Sequence, residues 1–213
     1  MKRNTKLFTA ASLFVSFVLW TAMLFFVDVQ AIGPQNSEVG LATLNHAFHA
    51  WTGVHWQLYT LTDWLGLVPV GFGFAFALLG LRQWIRRKSI LRVDFSLFVL
   101  GGFYLAVLAA YLFFEQFVVN YRPVEINGIM EVSYPSSTTL LVLCVLPTAL
   151  LQLRTRIACP LIRRCVTVLI LAFLLFMVVG RLLSGVHWLT DIVGGILLSA
   201  SLILLYDALT CTA

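Results

Sequence analysis

The sequence contains few charged residues for its length. Only 11% of its 213 residues are Asp, Glu, Lys or Arg, whereas 61% are hydrophobic. Soluble domains average about 25% charged residues and are about half apolar, so this balance excludes an ordinary soluble domain and indicates a bilayer protein. The length predicts a single integral membrane domain over residues 1–213, with little room for a separate soluble domain.

The basic residues and the cysteines lack the patterns of nucleic-acid, redox and metal sites. The net charge is +5, but the basic residues lie in short clusters between apolar runs and form no stripe or nucleic-acid-binding module. The four cysteines form no CxxC pair; they are Cys144, Cys159, Cys165 and Cys211. We interpret all four as structural, because Cys144 lies in an apolar run and the segment from Cys159 to Cys165 is assigned to the cytoplasm, where thiols stay reduced.

Six apolar runs are long enough, or nearly so, to cross a bilayer as helices, which takes about 20 residues. The predicted spans are residues 7–27, 64–85, 95–119, 136–153, 162–180 and 188–209. The first run is not a signal peptide, because it has the length of a full span and no small-residue cleavage site follows it. The sequence therefore predicts an all-α fold, a bundle of six transmembrane helices.

The distribution of basic residues predicts the orientation of this bundle. The N-terminal segment, the second-to-third connection and the fourth-to-fifth connection together contain 12 of the 14 lysines and arginines. In a six-span topology these three segments share one side of the membrane. Because cytoplasmic loops carry the excess of basic residues, we expect a multi-pass protein of the cell membrane with both termini in the cytoplasm.

Arg122 and Arg181 are the two exceptions, since this topology places both at the outer side. Basic residues are disfavoured there, and burial near the membrane surface adds a further cost. A bound anion would offset this cost; pairing with a carboxylate is the structural alternative. The candidate carboxylates are Glu115, Glu125, Glu131 and Asp191. For both arginines together, the motifs that flank them favour anion binding.

The first-to-second connection, residues 28–63, contains no lysine or arginine. A stretch around Val39–Trp51 is typical of a short helix that lies along the membrane interface. His46, His49 and His55 invite a metal hypothesis, but no carboxylate or cysteine with ligand spacing accompanies them. We therefore predict no metal site in this connection.

Three short segments meet at the outer face in this topology, and each is suited to phosphate. They are Tyr121–Pro123, Tyr134–Thr139 and Gly180–Asp191. The fourth and sixth helices both begin at this face, so their free N–H groups and positive dipole ends favour an anion. Ser136 and Ser137 follow Pro135 at a helix start and add hydroxyl donors. Arg122 and Arg181 supply charged planar forks that match phosphate oxygens.

His187 and Asp191 are four residues apart and lie on one helical face, where the carboxylate can contact the imidazole. An Asp that accepts the Nδ1 proton fixes the tautomer and leaves Nε2 free as a nucleophile or base. The alternative is that the pair only stabilises the start of the helix. Its position shortly after the outer-side Arg181 favours a chemical role.

Together these segments resemble the type 2 phosphatidic acid phosphatase family, whose pattern is KxxxxxxRP, then PSGH, then SRxxxxxHxxxD. The resemblance covers roughly residues 60–209 and implies the core shared by acid phosphatases and vanadium haloperoxidases. It implies that His187 is the nucleophile and that Asp191 orients it, with no metal or organic cofactor. The implied phosphate-binding residues are Arg122, Arg181, Ser136, Ser137 and Thr138.

The sequence departs from this pattern at the lysine, in the PSGH segment and at the serine before the arginine. Glu115 replaces the lysine, and we expect it to modulate the site by pairing with Arg122 or to face the bundle interior. Ser137 and Thr138 replace the glycine and histidine of PSGH, and Gly180 replaces the serine.

The missing histidine affects the expected substrate. In the family it protonates the leaving oxygen, and a threonine hydroxyl is far too weak an acid to replace it near neutral pH. A phosphate leaving group needs much less protonation than an alkoxide. We therefore expect a membrane lipid phosphate or diphosphate phosphatase that acts through a phosphohistidine at the extracytoplasmic face and prefers polyprenyl diphosphates to phosphatidic acid.

Two other functions are compatible with parts of the sequence. A catalytically inactive relative that binds phosphorylated lipid or a partner protein fits the missing lysine and histidine, whereas the intact His187 and Asp191 favour an enzyme. A transporter is disfavoured, because the sequence has no inverted repeat and no matching pair of broken helices. The head group, the lipid tail, the choice between phosphatase and phosphotransferase, and the oligomeric state are not encoded in a readable pattern.

Overall fold

A computed structural model describes residues 2–210, which form an all-α protein. The α-helices of this range are α1 (Arg3–Phe26), α2 (Ala42–Thr52), α3 (Trp56–Leu65), α4 (Leu67–Arg87), α5 (Phe95–Gln116), α6 (Ser137–Arg156), α7 (Pro160–Leu183) and α8 (Leu189–Thr210). Short 3-10 helices lie at Pro34–Asn36 and Ile90–Arg92. Extended backbone in the described range pairs only in isolated bridges, such as Tyr121 with Val132.

The six predicted spans are confirmed as helices long and apolar enough to cross a membrane. Backbone N–H and C=O groups have no water to bond in hydrocarbon, so an apolar run there satisfies them as a helix. The second span is longer than predicted: α3 and α4 follow each other through Gly66, and the apolar stretch covers Trp56–Arg87. The fifth begins earlier, at Pro160, since proline is tolerated in a first helical turn.

Helices α6 and α8 form the centre of the bundle. In their most apolar windows 56% and 44% of the residues are buried, against 11% in the α3–α4 span. Helix α8 packs against both α1 and α6. The main hydrophobic cluster draws side chains from α1, α5, α6 and α8, among them Phe17, Leu100, Phe103, Phe114, Leu140, Cys144 and Leu198. The outer helices are thus left to face lipid.

Ion pairs join the helices at the end that carries the basic clusters. Asp94 lies 3.0 Å from Arg87 and 3.5 Å from Arg156, which links α4, the start of α5 and the end of α6. Lys6 of α1 lies 2.7 Å from Asp207 of α8. These contacts fix one end of the bundle and leave the other end to the loops that carry the sequence motifs.

The structure contains a short helix, α2, between the first two spans and gives the positions of three of the four cysteines. Helix α2 occupies most of the stretch in which a short helix was predicted. Cys144 is buried in α6, whereas Cys159 and Cys165 are exposed free thiols near the start of α7. Cys211, which we interpreted as structural, lies outside the described residues.

Candidate functional site

The three motif segments do come together, at the end of the bundle opposite the basic clusters. The backbone N–H of Ser136, just before α6, donates to the carbonyl of Asp191 in α8 at 3.2 Å.

The backbone N–H of His55, just before α3, donates to the carbonyl of Ser184 at the end of α7 at 2.9 Å. Gly185 has φ +70°, and a Cβ at this residue would meet the carbonyl oxygen of Gly53 at 1.8 Å. The α2–α3 linker therefore lies directly on the α7–α8 turn.

Arg122 is placed by a hairpin-like turn in the α5–α6 connection. Its backbone N–H donates to the carbonyl of Glu131 at 3.0 Å, and the neighbouring Tyr121 carbonyl accepts the indole N–H of Trp188 at 2.8 Å. These bonds turn the Arg122 side chain inward, where only 8% of the residue is exposed. Its Nε lies 3.0 Å from the Glu131 carboxylate.

Arg181 lies in the last turn of α7 and is 1% exposed. Its Nη1 lies 3.6 Å from the carboxylate of Asp63 on α3, which is an ion pair too long to be a hydrogen bond. The ring of Tyr59, one turn before Asp63, lies close to both arginines. The Cζ atoms of Arg181 and Arg122 are 5.0 and 5.8 Å from its centroid, within cation–π range.

Both guanidinium groups retain buried N–H donors that no other described residue satisfies. These are Nε and Nη1 of Arg122 and Nε and Nη1 of Arg181. The 3.0 Å contact of Arg122 Nε with Glu131 is an ion pair without the alignment of a hydrogen bond. An unsatisfied buried donor costs about 1–3 kcal/mol, and more when charged, and an acceptor-rich anion bound here would relieve that cost.

His187 is buried in the α7–α8 turn, and its two ring nitrogens have different partners. Nη2 of Arg181 lies 3.2 Å from Nε2, and the Ser133 hydroxyl lies 3.0 Å from Nδ1. Because arginine has no acceptor, it can only donate to Nε2, so the proton of the neutral ring is on Nδ1. The Nε2 lone pair therefore points towards Arg181.

Asp191 lies next to His187, as the sequence predicted, but beyond hydrogen-bond distance. Its Oδ2 is 3.8 Å from Nδ1, and the Ser133 hydroxyl lies between them, accepting from Nδ1–H and donating to Oδ2. The other donors to Asp191 are Asn120 Nδ2 at 3.2 Å and the backbone N–H of Trp188 at 2.8 Å. The α5–α6 connection thus adds a serine between the two predicted residues, which helical spacing cannot reveal.

The environment of His187 disfavours its charged form. Burial is the main reason that its pKa lies well below the ordinary value of 6.5, and the positive charges of Arg122 and Arg181 lower it further. The imidazole is thus neutral near pH 7, the state that a nucleophile or base requires.

The part of the chain that carries the second and third motif segments matches a family model. Residues 124–210 match the sequence model of the PAP2 superfamily. The resemblance is confirmed. The fold is also similar to the crystal structure of a transmembrane PAP2-type phosphatidylglycerolphosphate phosphatase from Bacillus subtilis, with a TM-score of 0.61 and 18% identity over 94% of each chain. No curated protein matches the sequence.

At the lysine position of the PAP2 pattern, the structure corrects our expectation for Glu115. Its side chain is exposed on α5 and contacts Tyr111 rather than Arg122 or the bundle interior. Arg122 pairs instead with Glu131, which the hairpin-like turn brings beside it. Glu125, another candidate partner, accepts a hydrogen bond from Gln35 at 2.9 Å.

The hydroxyls of the PSGH-like segment are not assembled around the arginines. The Ser136 hydroxyl is buried and accepts from Thr139 at 3.0 Å. Ser137 and Thr138 are half-buried and line a groove of about 620 Å³ between α4, α5 and α6. Across the part of the chain described, no hydrogen bond joins these three hydroxyls to Arg122, Arg181 or His187.

Gly180 stands where the PAP2 pattern has a serine, and close packing leaves little room for a side chain at this position. A Cβ on Gly180 would lie 2.8 Å from the Thr62 methyl and 3.6 Å from Leu58, because α3 packs against α7 at this point. Thr62 is fully buried and its hydroxyl donates to the Leu58 carbonyl at 2.8 Å, so it has little freedom to move.

Two of the three histidines that precede α3 or lie in α2, His49 and His55, contact backbone carbonyls. A ring nitrogen of His49 lies 3.0 Å from the Gly185 carbonyl, and one of His55 lies 2.9 Å from the Thr52 carbonyl. No group of three His, Cys, Asp or Glu suited to a metal ion occurs between residues 2 and 210.

Four residues at the site were missed by sequence reasoning: Tyr59, Asp63, Asn120 and Ser133. Ser133 and Asn120 lie close in sequence to the PSGH-like and RP motifs, and this adjacency is the signal that would have found them. Tyr59 and Asp63 carry no such signal, because α3 meets the site only through helix packing.

Proposed function

We propose that the protein is a membrane lipid phosphatase that transfers the phosphoryl group of a lipid phosphate or diphosphate to His187. One observation carries this proposal: two buried arginines keep unsatisfied N–H groups, and one of them, Arg181, also contacts Nε2 of the neutral imidazole through its Nη2. A tetrahedral anion with several acceptor oxygens would satisfy these donors and bring phosphorus next to Nε2.

The reaction would proceed in two steps. Nε2 attacks phosphorus, the N–P bond forms, and the P–O bond to the leaving group breaks. Water then attacks the phosphohistidine, which releases phosphate and returns the electron pair to Nε2. Arg122 and Arg181 would neutralise the charge that develops on the non-bridging oxygens.

The leaving group limits the substrates that fit this site. Thr138 stands at the position of the PAP2 histidine and has no acidic proton near neutral pH. A diphosphate lipid expels a phosphate, which needs little protonation, whereas a phosphate monoester expels an alkoxide. We therefore favour diphosphate lipids such as polyprenyl diphosphates over phosphatidic acid.

A path for the lipid tail supports a lipid rather than a soluble substrate. The groove lined by Ser137 and Thr138 is also lined by Asp63, the ion-pair partner of Arg181. Its other walls are largely apolar, and Leu67 and Phe74 are 58% and 66% exposed on the outer surface of α4. A chain lying in this groove would connect hydrocarbon to the arginine pair.

Phosphate release from a panel of phosphatidic acid, phosphatidylglycerol phosphate and polyprenyl diphosphates tests the proposal. Wild type is expected to release phosphate, fastest from the diphosphates, and His187→Ala is expected to abolish release. His55→Ala is the matched control, because His55 is exposed and its ring bonds only the nearby Thr52 carbonyl, while the substitution keeps the backbone N–H that bonds Ser184. Equal rates for wild type and His187→Ala would refute the phosphohistidine, and faster turnover of phosphatidic acid would refute the substrate preference.

A non-catalytic lipid-binding protein is the second candidate, and the threonine at position 138 is the observation that favours it. This candidate predicts that wild type binds the lipid phosphates of the panel, that Arg181→Gln weakens binding, and that no member releases phosphate.

A further inference from the structure

We propose that Ser133 is a positioning residue that links His187 to Asp191 during phosphoryl transfer. This inference rests on the proposed function. It concerns a residue outside the RP, PSGH-like and His–Asp motifs, and it replaces a two-residue couple by a chain of three groups. Nδ1–H donates to the Ser133 hydroxyl, and that hydroxyl donates to Asp191.

The Asp191 carboxylate is already fully engaged without His187. Asn120 donates to Oδ1, while the Ser133 hydroxyl and the Trp188 backbone N–H donate to Oδ2. At 3.8 Å from Nδ1, Oδ2 is beyond hydrogen-bond distance. The contact that orients the imidazole is therefore the serine hydroxyl.

Ser133 is itself held rigidly on both sides. Its backbone N–H donates to the Asn120 carbonyl at 2.9 Å. Ser133 and Asn120, which both donate to Asp191, therefore also bond each other. The next residue, Tyr134, is buried between Phe17 and Phe114, and its hydroxyl lies 2.7 Å from that of Thr21. This anchoring fixes the backbone at Ser133 and so holds its hydroxyl between the His187 ring and the Asp191 carboxylate.

The chain has a use in the reaction. When Nε2 takes the phosphoryl group, the imidazole becomes positively charged while its proton remains on Nδ1. A hydroxyl that accepts from Nδ1–H and donates to a carboxylate transmits the negative charge of Asp191 to the ring. Hydrogen bonds of this charged type correspond to rate changes of about 10- to 100-fold.

Kinetics of Ser133→Ala give the first test. We expect kcat to fall about 10- to 100-fold with KM nearly unchanged, since the donors of Arg122 and Arg181 are untouched. Ser133→Thr keeps the hydroxyl and is expected to recover most of kcat. Ser201→Ala is the matched control: Ser201 is also buried and its hydroxyl donates to the Ala10 carbonyl at 2.9 Å, in another part of the bundle. Wild-type kcat in Ser133→Ala would overturn the proposal.

A second test does not depend on turnover. The ring 15N resonances of His187, assigned by their loss in His187→Ala, report the bond at Nδ1. We expect the Nδ1 resonance to move in Ser133→Ala and to stay in place in Ser201→Ala. If Ser133→Ala does not fold, Ser133→Cys carries the measurement, because a thiol has similar volume and weaker hydrogen bonds. An unmoved Nδ1 resonance would overturn the three-group chain. If the resonance moves in Ser133→Ala but the wild-type protein hydrolyses no lipid, the result counts against the proposed function and still supports the contact.

Discussion

At the scale of single residues, the site is defined by what each charged group bonds to. Arg122 and Arg181 have carboxylate neighbours but keep unsatisfied N–H groups, whereas every carboxylate oxygen of Asp191 has a donor. The positive groups are thus open to an incoming anion, and the negative group is closed to it. This asymmetry is what a phosphate site requires, because a free carboxylate would repel the substrate.

The pKa of His187 predicts an acid-tolerant activity. In the proposed mechanism only the neutral ring attacks phosphorus, and the pKa of His187 is lowered from 6.5, first by burial and then by the two arginines. The acid limb of kcat/KM should therefore lie below pH 6.5, with activity lost only as the pH falls through the lowered value. Arg122→Gln removes one repelling charge and should move this limb to higher pH. Substrate ionisation affects wild type and Arg122→Gln equally. If the acid limb does not move in Arg122→Gln, the assignment of this limb to His187 is contradicted.

At the scale of the helices, the contact of α3 with α7 accounts for a departure from the PAP2 pattern. Gly180→Ser restores the pattern residue but places a Cβ 2.8 Å from Thr62. We expect it to destabilise the protein by about 1–3 kcal/mol, as overpacking does in a close-packed interior. Thermal unfolding in detergent measures this effect. Gly71→Ala in α4 is the control, because nothing lies within 4 Å of the Cβ it would add; an equal loss in both variants would refute the packing explanation.

Sequence reasoning succeeded for the helices and for the end of the bundle at which the motifs lie. The apolar runs give the six spans because hydrocarbon imposes helical hydrogen bonding, and helix polarity then brings Arg122, Arg181 and His187 to one end. It failed for contacts made by connections. Ser133 is 54 residues from His187, and Glu131 reaches Arg122 through a turn whose geometry depends on pairing of Tyr121 with Val132. Local patterns do not encode such pairings.

At the scale of the whole molecule, the exposed thiols and the site lie at opposite ends of the bundle. The basic clusters predict that both termini are in the cytoplasm; in that orientation a membrane-impermeant maleimide should label Cys159 and Cys165 only after the membrane is permeabilised. Ile129→Cys, at an exposed position of the α5–α6 connection, should be labelled in intact cells. Both measurements use a Cys211→Ser background. Labelling of Cys159 and Cys165 in intact cells would reverse the orientation.

The groove between α4, α5 and α6 has a consequence for how substrate is found. Exposed, lipid-facing side chains form the rim of the groove. A lipid of the proposed kind would therefore reach it by lateral diffusion in one leaflet, without crossing bulk water. Encounter then depends on the mole fraction of the ligand among surrounding lipids. Detergent that dilutes the leaflet would slow the enzyme in proportion, even at constant total ligand concentration.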